Sequence, residues 1–265
     1  MKKQGLFYTL ALLASQAFAQ QAAVTGPDAR LKLDFQLQNG KPVYSVTYDG
    51  KTVLENSPLG FVSNIGDFSQ QMTFVDQQAD KVDKTYTQTR IKRSTVHYTA
   101  NKLTVTLENV DKKKVDIVFQ LSNNDIAFRY EMPQYGETAC MVVEQEATGF
   151  DFPSSTTTFL SPQSVPDEPV ATPSKYGEGY TFPALFHVGD NWALVSETGV
   201  RSLYCASHLS DATKDGLYSI AFPNPGEMNG LGSSTPGLAL PGVTPWRTIT
   251  VGNGLKPIVE TTVPF

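Results

Sequence analysis

The chain has few cysteines, few histidines and little charge, and each shortage removes a class of function. Two cysteines, Cys140 and Cys205, in 265 residues give neither a CxxC pair nor a disulfide framework. Whether they pair or stay as two thiols is open at this point. Three histidines, His97, His187 and His208, stand singly, and no HExxH motif is present. No GxSxG elbow and no glycine-rich phosphate loop follows a strand-like run. Charged residues are only 18% of the chain, and the formal net charge is −5. A surface of that sign has no general attraction for nucleic acid or anionic lipid, so neither is expected as a partner. The two basic clusters, Arg90 to Arg93 and Lys112 to Lys114, are short and read as solvated turns. No stripe at helical spacing runs through the chain after residue 19.

The first nineteen residues read differently. Met1-Lys2-Lys3 is a basic start, Leu6 to Ala14 is apolar, and Ala17-Phe18-Ala19 is a small-x-small site. That order predicts a secretory signal, residues 1–19, cleaved after Ala19 and directing residues 20–265 to the periplasm. The run is too short to span a bilayer as a stable helix, so no membrane association is expected. Removal of Lys2 and Lys3 from 21 basic residues, against 26 acidic ones, takes the net charge to −7.

What remains alternates. Leu31, Leu33, Phe35 and Leu37 interleave with Lys32, Asp34, Gln36 and Gln38, the period of a half-buried strand. Asn39-Gly40, Val43 to Tyr48, Asp49-Gly50 and Thr52 to Leu54 follow, which describes a meander with two glycine turns. The pattern returns at Leu103 to Leu107, Val115 to Leu121, Ile126 to Met132, Phe182 to Val188, Trp192 to Ser196, Leu217 to Phe222, Trp246 to Val251 and Ile258 to Val263. Ten or more strands without βαβ alternation predict an all-β fold, a large antiparallel sandwich, in one domain. Pro162 to Pro173 is the single proline-rich break.

Few residues point to chemistry. Glu144 and Glu146 are two apart in an extended run, so they share a face and read as a solvated pair. Glu197 ends the apolar run Trp192 to Ser196, where a carboxylate requires hydrogen bonds, a cation or solvent. Pro223 to Gly242 is rich in glycine and proline and reads as a long irregular loop of the kind that builds or covers sites. The aromatics Tyr176, Tyr180 and Trp246 lie near such segments and are candidates for stacking on sugar rings.

Several stretches together resemble the N-terminal domain of glycoside hydrolase family 97, a family of bacterial α-glucosidases and α-galactosidases. They include Lys41-Pro42-Val43-Tyr44 through Leu54, Asn123-Asn124-Asp125-Ile126-Ala127-Phe128-Arg129-Tyr130, and Ala147-Thr148-Gly149-Phe150-Asp151-Phe152-Pro153. Pro173-Ser174-Lys175-Tyr176-Gly177, Ser196-Glu197-Thr198-Gly199-Val200 and Thr244-Pro245-Trp246-Arg247 complete the order. The resemblance covers about residues 24–265. It implies a β-super-sandwich like that of galactose mutarotase, packed in the family on a (β/α)8 catalytic barrel that carries the catalytic carboxylates. It implies an α-linked gluco- or galacto-oligosaccharide as substrate, and a chain not catalytic by itself. It implies that Glu197 is one ligand of a calcium site completed by the barrel, so this chain alone would hold calcium weakly or not at all. Only Val165 to Thr172 stand where the family pattern has a longer aromatic and acidic segment. Two other readings are a stand-alone carbohydrate-binding domain and a mutarotase-like epimerase using His187 or His208 with Glu197.

Overall fold

Two tight turns set the N-terminal register. In the computed structural model, which describes residues 20–89, 92–163, 179–202, 204–213, 215–223 and 233–262, Asn39 and Gly40 have φ of 51° and 77°, and Asp49 and Gly50 have 50° and 73°. Two successive left-handed residues are what a two-residue hairpin demands. They pair Gln38 with Lys41 and Tyr48 with Lys51. The strands Gln21–Thr25, Leu31–Gln38, Lys41–Tyr48 and Lys51–Pro58 form a four-stranded sheet in chain order. Its alternate residues Leu31, Leu33 and Phe35 are fully buried.

Opposite lies a larger antiparallel sheet. Its central path runs Tyr180–Val188, Asn191–Thr198, Trp246–Gly252, Asp125–Met132, Lys114–Leu121, Thr95–Glu108 and Thr73–Thr87. A third sheet joins Gly237–Ala239, Cys140–Glu146, Phe61–Ser63 and Gly66–Asp67. One contiguous apolar cluster connects all three, with Phe35, Phe119, Phe128 and Tyr44 in ring contact across the layers. The expected all-β super-sandwich is the fold observed.

Several expectations change. The strand expected over Ile258 to Val263 is not formed: Ile258 to Glu260 belong to the helix Leu255–Glu260, and Val263 lies outside the described residues. Pro257 sits in the first turn, where its missing N–H costs no intrahelical bond. Lys92 and Arg93 do more than face solvent, because the Lys92 ammonium donates to the Val259 and Thr261 carbonyls and Arg93 pairs with Glu260. The stretch after Pro223 is not wholly irregular, since Gly237–Ala239 and Gly242–Val243 each pair with a strand. Both cysteines are free thiols. Residues 165–172 lie outside the described residues.

The buried phenols make the fold sensitive to alkali. Burial pushes Tyr44 and Tyr204 well above the ordinary tyrosine value, and Tyr98 and Tyr130 shift in the same direction for the same cause. An unfolded chain releases these protons near pH 10, while the folded chain keeps them. Stability is therefore complete below about pH 10 and falls as the pH rises beyond it. Urea unfolding at about pH 8 and about pH 11 should show a clearly lower midpoint at the higher pH. Equal midpoints would refute the assignment.

Candidate functional site

The strand Trp246–Gly252 is buried along its whole length, between Asn191–Thr198 and Asp125–Met132. Alternation sends Arg247, Ile249 and Val251 to the inner face and Trp246 to the outer one. Arg247 is thereby carried into the core with none of its surface exposed. A guanidinium there must be neutralised and have its N–H groups satisfied.

Two carboxylates and a serine do this. Nε of Arg247 donates to Glu146 Oε1 at 2.9 Å and Nη2 donates to Glu146 Oε2. Nη1 donates to Glu197 Oε2 and, at 3.0 Å, to Ser207 Oγ. Ser207 in turn donates its backbone N–H and its hydroxyl to Glu197, at 2.9 and 2.7 Å. The Tyr204 hydroxyl donates to Glu146 Oε2 at 3.0 Å. Burial works against the Arg247 charge, but the charge and hydrogen bonds of Glu146, with the charge of Glu197, outweigh it and hold its pKa above the ordinary value.

Each partner has a local reason for its place. Glu197 continues the inner parity of Ala193 and Val195, both fully buried on the same strand. The compensation that the sequence demanded for it is supplied by Arg247 and Ser207. Glu146 is the partner that sequence reasoning missed. Strict alternation puts it beside Glu144 on the solvent face, but the pairing of Cys140–Glu146 with Phe61–Ser63 slips between Val143 and Gln145. That bulge turns Glu146 inward, to 2% exposure, and leaves Glu144 exposed. No residue-type signal marks such a bulge in advance.

The other candidates separate. Trp246 is 9% exposed and packs on Val118 and Ala127 of the outer face, with the Arg129 guanidinium 4.3 Å from its ring centroid. Tyr176 lies outside the described residues. Tyr180 packs against the core and Tyr218. His187 stacks on Trp192 at 4.3 Å, on the outer parity of its strand, opposite to buried Ala184 and Phe186. It is therefore across the sheet from Glu197, and the His187–Glu197 pair is not formed.

The chemistry of the cluster suits a cation only in part. It carries one excess negative charge, but the Glu197 oxygens already accept three hydrogen bonds, one from a guanidinium. Among the described residues no group of three or more His, Cys, Asp or Glu side chains is placed to hold a metal ion. Calcium takes six to eight oxygens. The described residues of this chain do not make a calcium site.

Beside the cluster, where Asn191–Thr198 ends and Trp246–Gly252 begins, is a cleft of about 510 Å³, with Arg129, Glu131, Arg201, Tyr204 and Trp246 among its lining.

Known proteins share this sequence and fold. A family model described as glycosyl-hydrolase 97 N-terminal matches residues 24–265. A curated relative, a probable retaining alpha-galactosidase of Streptomyces bingchenggensis (strain BCW-1), is 27% identical over 252 residues, covering 91% of this chain and 36% of that protein. The crystal structure of a beta-arabinopyranosidase is 52% identical, with a TM-score of 0.85 over 92% of this chain and 42% of that one. A variant of a glycoside hydrolase family 97 enzyme from Pseudoalteromonas sp. strain K8 shares the fold at 23% identity and TM-score 0.75, over 91% of this chain and 37% of that one. The chain thus spans well under half the length of these relatives. It belongs to the N-terminal domain family of the glycoside hydrolase 97 enzymes.

Proposed function

We propose that this chain is the N-terminal part of an exported hydrolase of terminal α-D-galactosides or β-L-arabinopyranosides, forming one wall of its substrate site. The observation that carries the reading is the 52% identity to a beta-arabinopyranosidase over 92% of the chain. The alpha-galactosidase relative agrees chemically. A β-L-arabinopyranoside is an α-D-galactopyranoside without its exocyclic CH2OH, so one ring-binding site accepts both if it makes no demand at that carbon. The catalytic carboxylates lie in a (β/α)8 barrel outside residues 20–265, and the basic-apolar start at residues 1–19 directs export to the periplasm. Trp246 and Tyr176 contribute to substrate binding. In the longer protein Glu197 supplies at most one oxygen to calcium, the remainder coming from outside this chain.

The purified chain should hydrolyse neither nitrophenyl α-D-galactopyranoside nor nitrophenyl β-L-arabinopyranoside, while the longer protein hydrolyses both faster than the α-glucoside. Calorimetric titration of the chain with calcium should give no saturable heat. Turnover by the chain alone, or a preference of the longer protein for the α-glucoside, would overturn the reading.

A further inference from the structure

The strand Thr73–Thr87 ends the large sheet and pairs on one side only, with Thr95–Glu108. Among the described residues no strand covers its other side, and nearly all of its residues are exposed. A bare edge of this length is a template for a further strand, and charged side chains ordinarily guard it. The guards here are Asp80, Lys81, Asp83 and Lys84, arranged around half-buried Val82. Their order, acid-base before Val82 and acid-base after it, meets its own reverse with every sign opposite.

In an antiparallel pair of two such strands centred on Val82, Asp80 of each copy faces Lys84 of the other, and Lys81 faces Asp83. A centre on any of these four charges sets that charge against itself. Val82 is also the midpoint of Gln77 to Thr87, the regular stretch that follows the bulge between Phe74 and Asp76. Away from the charges the register sets Ala79 against Thr85, Gln78 against Tyr86 and Gln77 against Thr87, with no like-charged pair.

The backbone suits the same register. The Gln77 and Lys81 N–H groups donate to the carboxylates of the residues before them, at 2.8 and 2.7 Å. This parity therefore faces the free edge, and Lys81 exchanges both backbone hydrogen bonds with Asp83 across the pair. Val82 then meets its own copy in the closer, non-hydrogen-bonded position. Asp83 also contacts His97 at 3.1 Å, but its side chain stays 73% exposed. Beside Ala79, Asp80 and Lys81 a cleft of about 500 Å³ opens toward Val24 and Leu103, which leaves room for the side chains of an added strand.

We propose that Thr73–Thr87 is a self-association edge, which joins two copies of this chain about a twofold axis at Val82 into one continuous sheet. The signs commit the edge to its own reverse, because a strand without that order leaves the four charges unmatched. Three strands separate this edge from Trp246–Gly252 in the sheet, and the inference stands apart from the hydrolase reading.

Sedimentation equilibrium of the chain, and of the longer protein, should give twice the monomer mass at micromolar concentration. Lys81→Asp with Lys84→Asp sets acid against acid and should leave monomers with an intact circular dichroism spectrum. Adding Asp80→Lys and Asp83→Lys restores opposite signs and should restore the dimer. In a Cys140→Ser, Cys205→Ser chain, Val82→Cys should be oxidised by diamide to a covalent dimer. Ala79→Cys should not, because that position lies about 20 Å from its copy. A monomer mass across the micromolar range, a dimer that survives the two lysine changes, a fourfold variant that stays monomeric, or equal cross-linking at the two positions would overturn the proposal.

Discussion

Arg247→Met is expected to lower the stability of the chain by about 3–5 kcal/mol, the cost of leaving buried carboxylates without their cation. Glu146 and Glu197 both depend on this guanidinium, and the side chains of the ion pairs are 1% and 9% exposed, respectively. Water cannot replace the lost donors at that depth. The contrast is Arg30–Asp49, also well formed at 2.6 Å but with side chains 41% and 42% exposed. Breaking such a surface pair should move the unfolding midpoint far less, because solvent screens both charges. Combining Arg247→Met with Glu146→Leu and Glu197→Leu should recover much of the loss, because apolar replacement of a whole buried ion cluster is often neutral. Urea unfolding followed by circular dichroism measures all three. A single Arg247→Met variant as stable as the parent would show that the cluster does not anchor the fold.

The second large effect is expected at Gly60, far from Arg247 in sequence and close to its partners in space. Gly60 has φ of 114°, and a Cβ placed there would lie 2.4 Å from the Phe68 carbonyl oxygen and 2.6 Å from Ser69 Cα. Its N–H donates to the Tyr130 hydroxyl at 2.7 Å, and its carbonyl accepts from Ala147 N at 2.8 Å. Gly60→Ala therefore strains the backbone and parts two contacts that flank Glu146. The expected loss is roughly 3 kcal/mol, from conformational strain and overpacking together. Gly50→Ala is the control, with φ of 73° but open space around the added carbon, so it reports the conformational cost alone. Equal losses at the two positions would remove the steric part of the account.

The strands most visible in the sequence are those with one buried face. Leu31–Gln38, Lys114–Leu121 and Asp125–Met132 each alternate strictly enough to be read directly. Thr73–Thr87 escaped for the opposite reason. It is an edge strand exposed on nearly every residue, and its fifteen residues become a strand only through pairing with Thr95–Glu108. Alternation carries no signal where neither face is buried. At the end of the chain, Ile258 and Val259 suggest a strand, yet only Ile258 is buried, as one face of a short helix requires.

The candidate site was half legible. Glu197 stood out because a carboxylate closed an apolar run, and the structure places it where that logic puts it. Arg247 entered only through its neighbours in the resemblance, since a single arginine in a hydrophobic strand does not announce its partners. Glu146 was hidden by one slipped residue in a ladder. Pairings between residues about a hundred positions apart, such as Glu146 with Arg247, are consequences of topology rather than of local pattern.

The strand Trp246–Gly252 places two neighbouring residues on opposite sides of a sheet one backbone thick. Trp246 looks outward to Arg129, and Arg247 looks inward to Glu146 and Glu197. A partition of this kind lets two adjacent codons answer to different selective pressures. Residues around the indole, such as Val243 or Arg201, can change without touching the core, while the guanidinium's partners stay under constraint for folding. Substitutions on the outer side of this strand can therefore accumulate without reopening the core behind it.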